Sequence, residues 1–170
     1  IRLQSNAVLG NYLVDQEGRT LYFFSNDSKG QNTCTGNCEL LWPVFNVDNL
    51  TEASLGEGLE ISDFSSVTTA SNKKQLTYKG WPLYYYAPNV GGTYTLEAPG
   101  ATLGEGFGGI WFVAKPDYTI MLANAQLVGQ DGKSYKADYT VGTGNTIYFT
   151  DANGLTLYTF ANHRRNKNNY

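Results

Sequence analysis

Cys34 and Cys38 are the only thiols in the 170-residue chain, and His163 is its only histidine. The cysteines bracket a Thr-Gly-Asn loop in a Cys-x3-Cys spacing. Two thiols in an exported protein most often join in a structural disulfide. The loop closed is far shorter than the ~15 residues for which chain entropy contributes about 3 kcal/mol. The expected task of such a bond is therefore to fix the turn that carries Trp42 into the core. A redox-active dithiol and a metal site are the other two readings. The spacing is not Cys-x-x-Cys, and no His or Lys flanks the pair to depress a thiol pKa. A closed zinc site takes four ligands, and two soft ones stand at this position. His163 lies beside Arg164 and Arg165 and reads as a surface residue. With its one histidine in the tail, the chain is not expected to build a Ser/His/Asp triad, and a two-His metal site cannot be assembled within it. Asp15, Glu17 and Asp27 lie close in sequence, while Glu60, Asp63, Glu97 and Glu105 are scattered. No carboxylate pair stands out, so no catalytic residue, metal ligand or cofactor is assigned. Asp27 reads as an Asx turn just past a strand end, a role that Asn89 shares and His163 fills less well.

The elements that hold these residues repeat. A ten-residue pattern, Gly-x-x-Leu-Tyr-x-aromatic-x-x-polar, occurs three times, at Gly18–Asp27, Gly80–Asn89 and Gly154–His163. Each copy follows a short alternating strand and a turn rich in Asp, Asn or Gly, which is the signature of a hairpin. The strands are Tyr12–Val14 returning through Thr20–Phe24, Gln75–Tyr78 returning through Leu83–Tyr86, and Ile147–Phe149 returning through Thr156–Phe160. In each returning strand the Tyr and the next aromatic are two apart and share a face: Tyr22 with Phe24, Tyr84 with Tyr86, Tyr158 with Phe160. Sheet and core packing is the plain reading of these pairs. An aromatic surface for a glycan or a partner protein is the functional alternative.

Further strands are expected at Val67–Thr69, Ile110–Ala114, Thr119–Leu122, Ser134–Ala137 and Asp138–Val141. Pro88 to Gly109, rich in Gly, reads as a long loop. One or two helical turns are expected after Thr35 through Leu41, stopped by Pro43. The fold class is thus all-β: antiparallel hairpin repeats forming a small sandwich- or barrel-like domain with at most one or two short helical turns. The first and third copies match at a constant offset of 136, Asp15 with Asp151, Gly18 with Gly154, Leu21-Tyr22 with Leu157-Tyr158. Residues 1–118 therefore read as a complete repeat unit with two hairpin motifs, and 119–170 as the start of a second, truncated unit.

Composition agrees. Charged residues are sparse at 16 %, aromatics reach 14 % with 13 Tyr, and Gly contributes 19 residues. A formal net charge of −3 gives no steering toward nucleic acid. No segment approaches the ~20 apolar residues of a membrane span. The opening at Ile1 reads as a mature or trimmed protein whose targeting segment has been removed.

Several of these motifs together resemble the bacterial secreted-repeat lipoproteins. The resemblance rests on Tyr-x-(Phe/Trp/Tyr)-x-x-Asp at Tyr22–Asp27, on Thr33-Cys34-Thr-Gly-Asn-Cys38, and on Leu41-Trp42-Pro43. Leu76–Tyr86 and Gly108–Val113, with Trp111, match the second half of that family's unit. Its terminal Asp is kept as Asp27 and replaced by Asn89 and His163 in the other copies. The resemblance implies export, often with a lipid anchor on the precursor, and no agreed activity; some members occur near exported redox proteins. The expected function is a non-enzymatic binding or scaffolding module in an envelope or cell-surface assembly, secreted, periplasmic or surface-exposed. Its partners would be other envelope or surface proteins, or glycan. The alternative is a periplasmic redox- or metal-associated protein using Cys34 and Cys38. Trp42 and Trp111 are expected as core aromatics.

Overall fold

The computed structural model describes residues 1–28 and 30–160. Its strands are β1 (Arg2–Asn6), β2 (Gly10–Val14), β3 (Tyr22–Phe24), β4 (Phe64–Thr68), β5 (Lys74–Tyr78) and β6 (Trp81–Tyr84). They continue as β7 (Asn89–Val90), β8 (Thr93–Tyr94), β9 (Trp111–Val113), β10 (Met121–Val128), β11 (Ser134–Tyr135) and β12 (Asn145–Thr150). One short helix, α1 (Asn37–Leu41), and isolated 3-10 turns complete the described elements. All strand pairings are antiparallel. The arrangement is sandwich-like, and the described strands close no barrel.

Turn chemistry sets the hairpins. Lys79 and Gly80 both take positive φ, 49° and 83°, which a two-residue hairpin turn of the primed kind requires. That turn joins β5 to β6 with Tyr78 opposite Trp81. At the first motif, Gly18 takes φ 87° while the Asp15 carboxylate accepts the Arg19 N–H at 2.8 Å. The returning strand then touches β2 only briefly, through the Val14–Thr20 bridge and the Leu21 N–H donated to Leu13 O at 2.9 Å. The full partner of β2 is β1, a strand outside the sequence-based expectation. β3 moves on to lie between β6 and β9, with Tyr22 opposite Tyr84 on one side and Val113 on the other. The central sheet has the order β4-β5-β6-β3-β9.

An internal repetition organises this part of the chain. Leu13, Ala114 and Leu21 close a ring of backbone bonds. The Leu13 N–H donates to Ala114 O (2.8 Å), the Ala114 N–H to Leu21 O (2.8 Å), and the Leu21 N–H to Leu13 O. The second hairpin repeats two of these steps, the Phe45 N–H to Leu83 O (2.9 Å) and the Leu76 N–H to Phe45 O (2.8 Å). Leu76 thus stands for Leu13, Leu83 for Leu21, and the segment Trp42-Pro-Val-Phe45, which meets β6 through the Val44–Tyr84 bridge, for Trp111-Phe-Val-Ala114. All six side chains meet in one apolar cluster with Ile1 and Tyr78. Full burial of a leucine contributes roughly 1.5–3 kcal/mol, so this shared cluster stabilises both halves together.

Other details depart from the sequence-based expectation. Residues 138–141 form no strand: Asp138 accepts the Thr140 N–H at 3.1 Å and Tyr139 sits at φ 65°, a turn. Of the strand expected at Thr119–Leu122, Met121 and Leu122 open the longer β10, while Thr119 and Ile120 form a bend before it. The 88–109 loop holds the β7–β8 hairpin and a 3-10 turn at Phe107–Gly109. α1 ends before Pro43, with Trp42 already out of helical geometry at ψ 73°. The C-terminal sheet, ordered β11-β10-β12, docks on the central one through Met121 and Ala123, which pack with Phe23 and Trp81. Trp81 Nε1–H also donates to Ala152 O at 3.2 Å.

Candidate functional site

The tyrosines of the first two motifs point inward and end on buried carboxylates, in a crossed arrangement. Tyr84, from the second motif, donates its hydroxyl to Asp27 Oδ2 at 2.5 Å. Asp27 closes the first motif. Tyr22, from the first motif, donates to Glu97 Oε1 at 2.5 Å, and Glu97 lies in the loop after the second motif. The other oxygen of each carboxylate is also engaged. Asp27 Oδ1 accepts the Thr33 N–H (2.8 Å) and hydroxyl (2.6 Å), and Glu97 Oε2 accepts the Leu103 N–H (2.9 Å). Asn32 donates to both the Tyr84 hydroxyl (2.9 Å) and Gln75 Oε1 (2.8 Å), and the Gln75 amide donates to Leu83 O (2.9 Å). Asp27 thus does more than hold a turn, since it joins the two motif strands. Asn89, at the matching sequence position, instead accepts the Gly92 N–H in the exposed β7–β8 turn at 2.9 Å.

Aromatic rings surround these pairs. Trp111 is stacked between Trp42 (ring centroids 3.8 Å apart, 1° between planes) and Phe24 (4.0 Å, 5°). Tyr22 meets the Trp42 ring edge-on at 5.4 Å, and Tyr84 meets Trp111 in the same way at 5.0 Å. Tyr86 packs on Trp42 at 4.6 Å. The Cys34–Cys38 disulfide is formed at the edge of this cluster, and Cys38 O accepts the Trp42 N–H at 2.8 Å. Gly104 approaches so closely that a Cβ there would stand 2.8 Å from Trp42 Cη2.

Electrostatics follow from burial. Loss of solvent pushes the Asp27 carboxyl up to about 6, against the bonds from Thr33 and Tyr84, which favour its anion. Glu97 is raised by burial as well, with the Tyr22 and Leu103 bonds opposing. Burial first, and the facing carboxylates next, drive the Tyr22 and Tyr84 hydroxyls well above the ordinary tyrosine range, so both stay protonated as donors. The stability consequence has an unusual sign. Below the unfolded value of 3.8 both states hold the Asp27 proton. As pH rises from there to about 6, the unfolded chain releases that proton while the folded chain keeps it, so folding is progressively disfavoured. The expected difference across this window is on the order of 2–3 kcal/mol. Thermal unfolding between pH 4 and 7 tests it: Asp27→Asn should flatten the profile relative to the unsubstituted protein, and parallel profiles would contradict the assignment.

The arrangement is closed to a substrate. Asp27, Tyr22 and Tyr84 are fully buried, and Glu97 nearly so. Its chemistry is cohesion between two halves. Among the described residues, no group of three or more His, Cys, Asp and Glu side chains is placed to hold a metal ion. The third motif is placed differently. Tyr158 is 89 % exposed and Phe160 is about half exposed. His163 lies outside the described residues. Glu97, Asn32, Thr33 and Gln75 are the members that sequence reasoning missed. Only the recurrence of a motif tyrosine, which needs an acceptor when buried, hinted at them.

Sheet, disulfide and crossed tyrosine–carboxylate pairs define a stapled, aromatic-cored repeat module. The model of a family described as a secreted repeat of unknown function matches residues 5–46, from β1 through the disulfide to the residue after Phe45. It is the family that the motifs resemble. Neither a curated protein nor a solved structure matches the chain. The family description points to export, and no described helix is long and apolar enough to cross a membrane.

Proposed function

We propose that the protein is an exported, non-enzymatic binding or scaffolding module of an envelope or cell-surface assembly, with other envelope or surface proteins as its partners and glycan as a second class. The observation that supports this reading is the apolar surface of the C-terminal sheet. Ile147, Phe149, Leu155 and Leu157 are 45–67 % exposed, on a molecule whose other motif residues are packed. Exposed apolar surface of this kind marks interaction sites on exported and soluble proteins alike. A separate concave surface is lined by Tyr135, Tyr139, Tyr148 and the exposed Tyr158, a side-chain type suited to wet interfaces. The alternative, redox chemistry at Cys34 and Cys38, draws less support. Both sulfurs are already bonded, and Cys34 is 1 % exposed among the core aromatics.

Cosedimentation with the isolated envelope fraction of the producing bacterium tests the proposal. The unsubstituted protein is expected in the pellet, and a Phe149→Ser/Leu157→Ser variant in the supernatant. Equal behaviour of the two, or no sedimentation of either, would overturn it.

A further inference from the structure

The turn Asp151-Ala-Asn-Gly154 leads out of β12 into the third motif, and it is also where the C-terminal sheet touches the central one. Ala152 O accepts the Trp81 Nε1–H at 3.2 Å. Gly154 lies so near that a Cβ there would stand 3.1 Å from Ser28 O and 3.9 Å from Trp81 Cζ2. Within the turn a single carboxylate oxygen, Asp151 Oδ1, accepts the N–H groups of Asn153 (2.9 Å) and Leu155 (2.8 Å). Gly154 takes φ 82° and closes the turn with its N–H on Asp151 O at 3.1 Å.

Asn153 differs from every other asparagine of the chain in being followed by glycine. It is exposed, and the bonds of the turn leave its carboxamide without a partner among the described residues. Glycine has no side chain to shield its own backbone nitrogen, and it passes readily through conformations closed to other residues. The Gly154 N–H is held by one backbone bond, at the surface. Such turns open locally at far lower free energy than the core, which releases that nitrogen.

We propose that Asn153 is a site of spontaneous covalent modification. A base removes the Gly154 amide proton, and the nitrogen attacks Asn153 Cγ. A five-membered succinimide forms, the Cγ–Nδ2 bond breaks, and ammonia leaves. Water then opens the ring. Addition at Cγ gives aspartate, and addition at the main-chain carbonyl gives isoaspartate. In sum, water replaces ammonia, with no oxidant and no cofactor. The base-dependent first step makes the rate rise with pH.

The product disturbs the contact that the turn makes. At the matching place in the first motif stands Glu17, whose carboxylate lies 3.5 Å from Arg19. The third motif has Leu155 where the first has Arg19, so the turn supplies no cation to a new carboxylate beside Asp151. Isoaspartate also adds a methylene to the main chain between Ala152 and Gly154, the residues that meet Trp81 and Ser28. Both changes loosen the docking of the C-terminal sheet. The reaction needs no partner, and it holds whether or not the apolar surface binds one.

Peptide mapping by mass spectrometry, on the full chain held at pH 5 and at pH 8, tests the site. The peptide containing Asn153 is expected to gain about one dalton at least tenfold faster than any other asparagine peptide of residues 1–160, and faster at pH 8. Asn153→Gln, whose longer side chain disfavours ring closure, should stop the gain. Amide hydrogen exchange reads the consequence. β10 and β12 should exchange several-fold faster in the modified protein, and Asn153→Asp isolates the share due to charge. An Asn153 peptide that stays unchanged at pH 8, or converts no faster than the others, overturns the site. Conversion that leaves exchange unaltered overturns the loosening of the Trp81 contact.

Discussion

Trp42→Ala is expected to lower the stability of the protein by about 3–5 kcal/mol, the range for removing a buried large aromatic from a packed core. Trp42 is where the two halves meet. Its ring lies on Trp111, receives the edge of Tyr22, and contacts Tyr86 and Phe107. The surrounding structure has little room to collapse into the gap. The disulfide and α1 fix the chain just before it, and Pro43 just after. Urea unfolding followed by tyrosine and tryptophan fluorescence measures the loss. The near-ultraviolet circular dichroism should fall with it, because the Trp42–Trp111 stack is a fixed asymmetric arrangement. A loss below 1 kcal/mol would mean that the cluster is not the joint between the halves.

The second large effect is expected at Asp27. Asp27→Ala should cost about 2–4 kcal/mol at pH 7. The Tyr84 hydroxyl is fully buried and loses its acceptor outright, which alone costs about 1–3 kcal/mol. Thr33 is more exposed, so water can take over part of its bonding. Asp27→Asn should cost less. Its one amide oxygen can accept from Thr33 or from Tyr84 but not from both, while the charge that burial disfavours is gone. The discriminating quantity is therefore the difference between the two variants in urea unfolding at pH 7. Equal losses would mean that the charge, rather than the acceptor, is what the fold needs.

These effects lie at positions that the sequence made visible to different degrees. Lys79-Gly80 flanked by apolar strands is a local signal, and it placed the β5–β6 hairpin without help from the rest of the chain. α1 before Pro43 and the cysteine turn were visible for the same reason. β1 was not. Arg2-Leu-Gln-Ser-Asn6 offers no apolar alternation, and it is a strand because β2 needs a backbone partner. β10 was underestimated because Ala123, Asn124, Ala125 and Gln126 have little strand preference. The small alanines are what allow the sheet to approach the central one. At 138–141, Asp138 and the positive φ of Tyr139 made a turn where Tyr, Thr and Val suggested a strand. Glu97 was out of reach for a deeper reason. It accepts from a tyrosine 75 residues away, and no local pattern encodes a contact at that range.

The crossing of the carboxylates also limits how such a chain can be lengthened or shortened by recombination. Each half carries the acceptor that the other half's tyrosine requires, Asp27 for Tyr84 and Glu97 for Tyr22. A duplication or deletion of one hairpin leaves an unmatched half with both a buried hydroxyl lacking its acceptor and a buried acid lacking its donor. Inheritance in whole units keeps both pairs intact. The heritable module is thus the pair of hairpins, and a solitary hairpin persists only where something outside its own unit completes it.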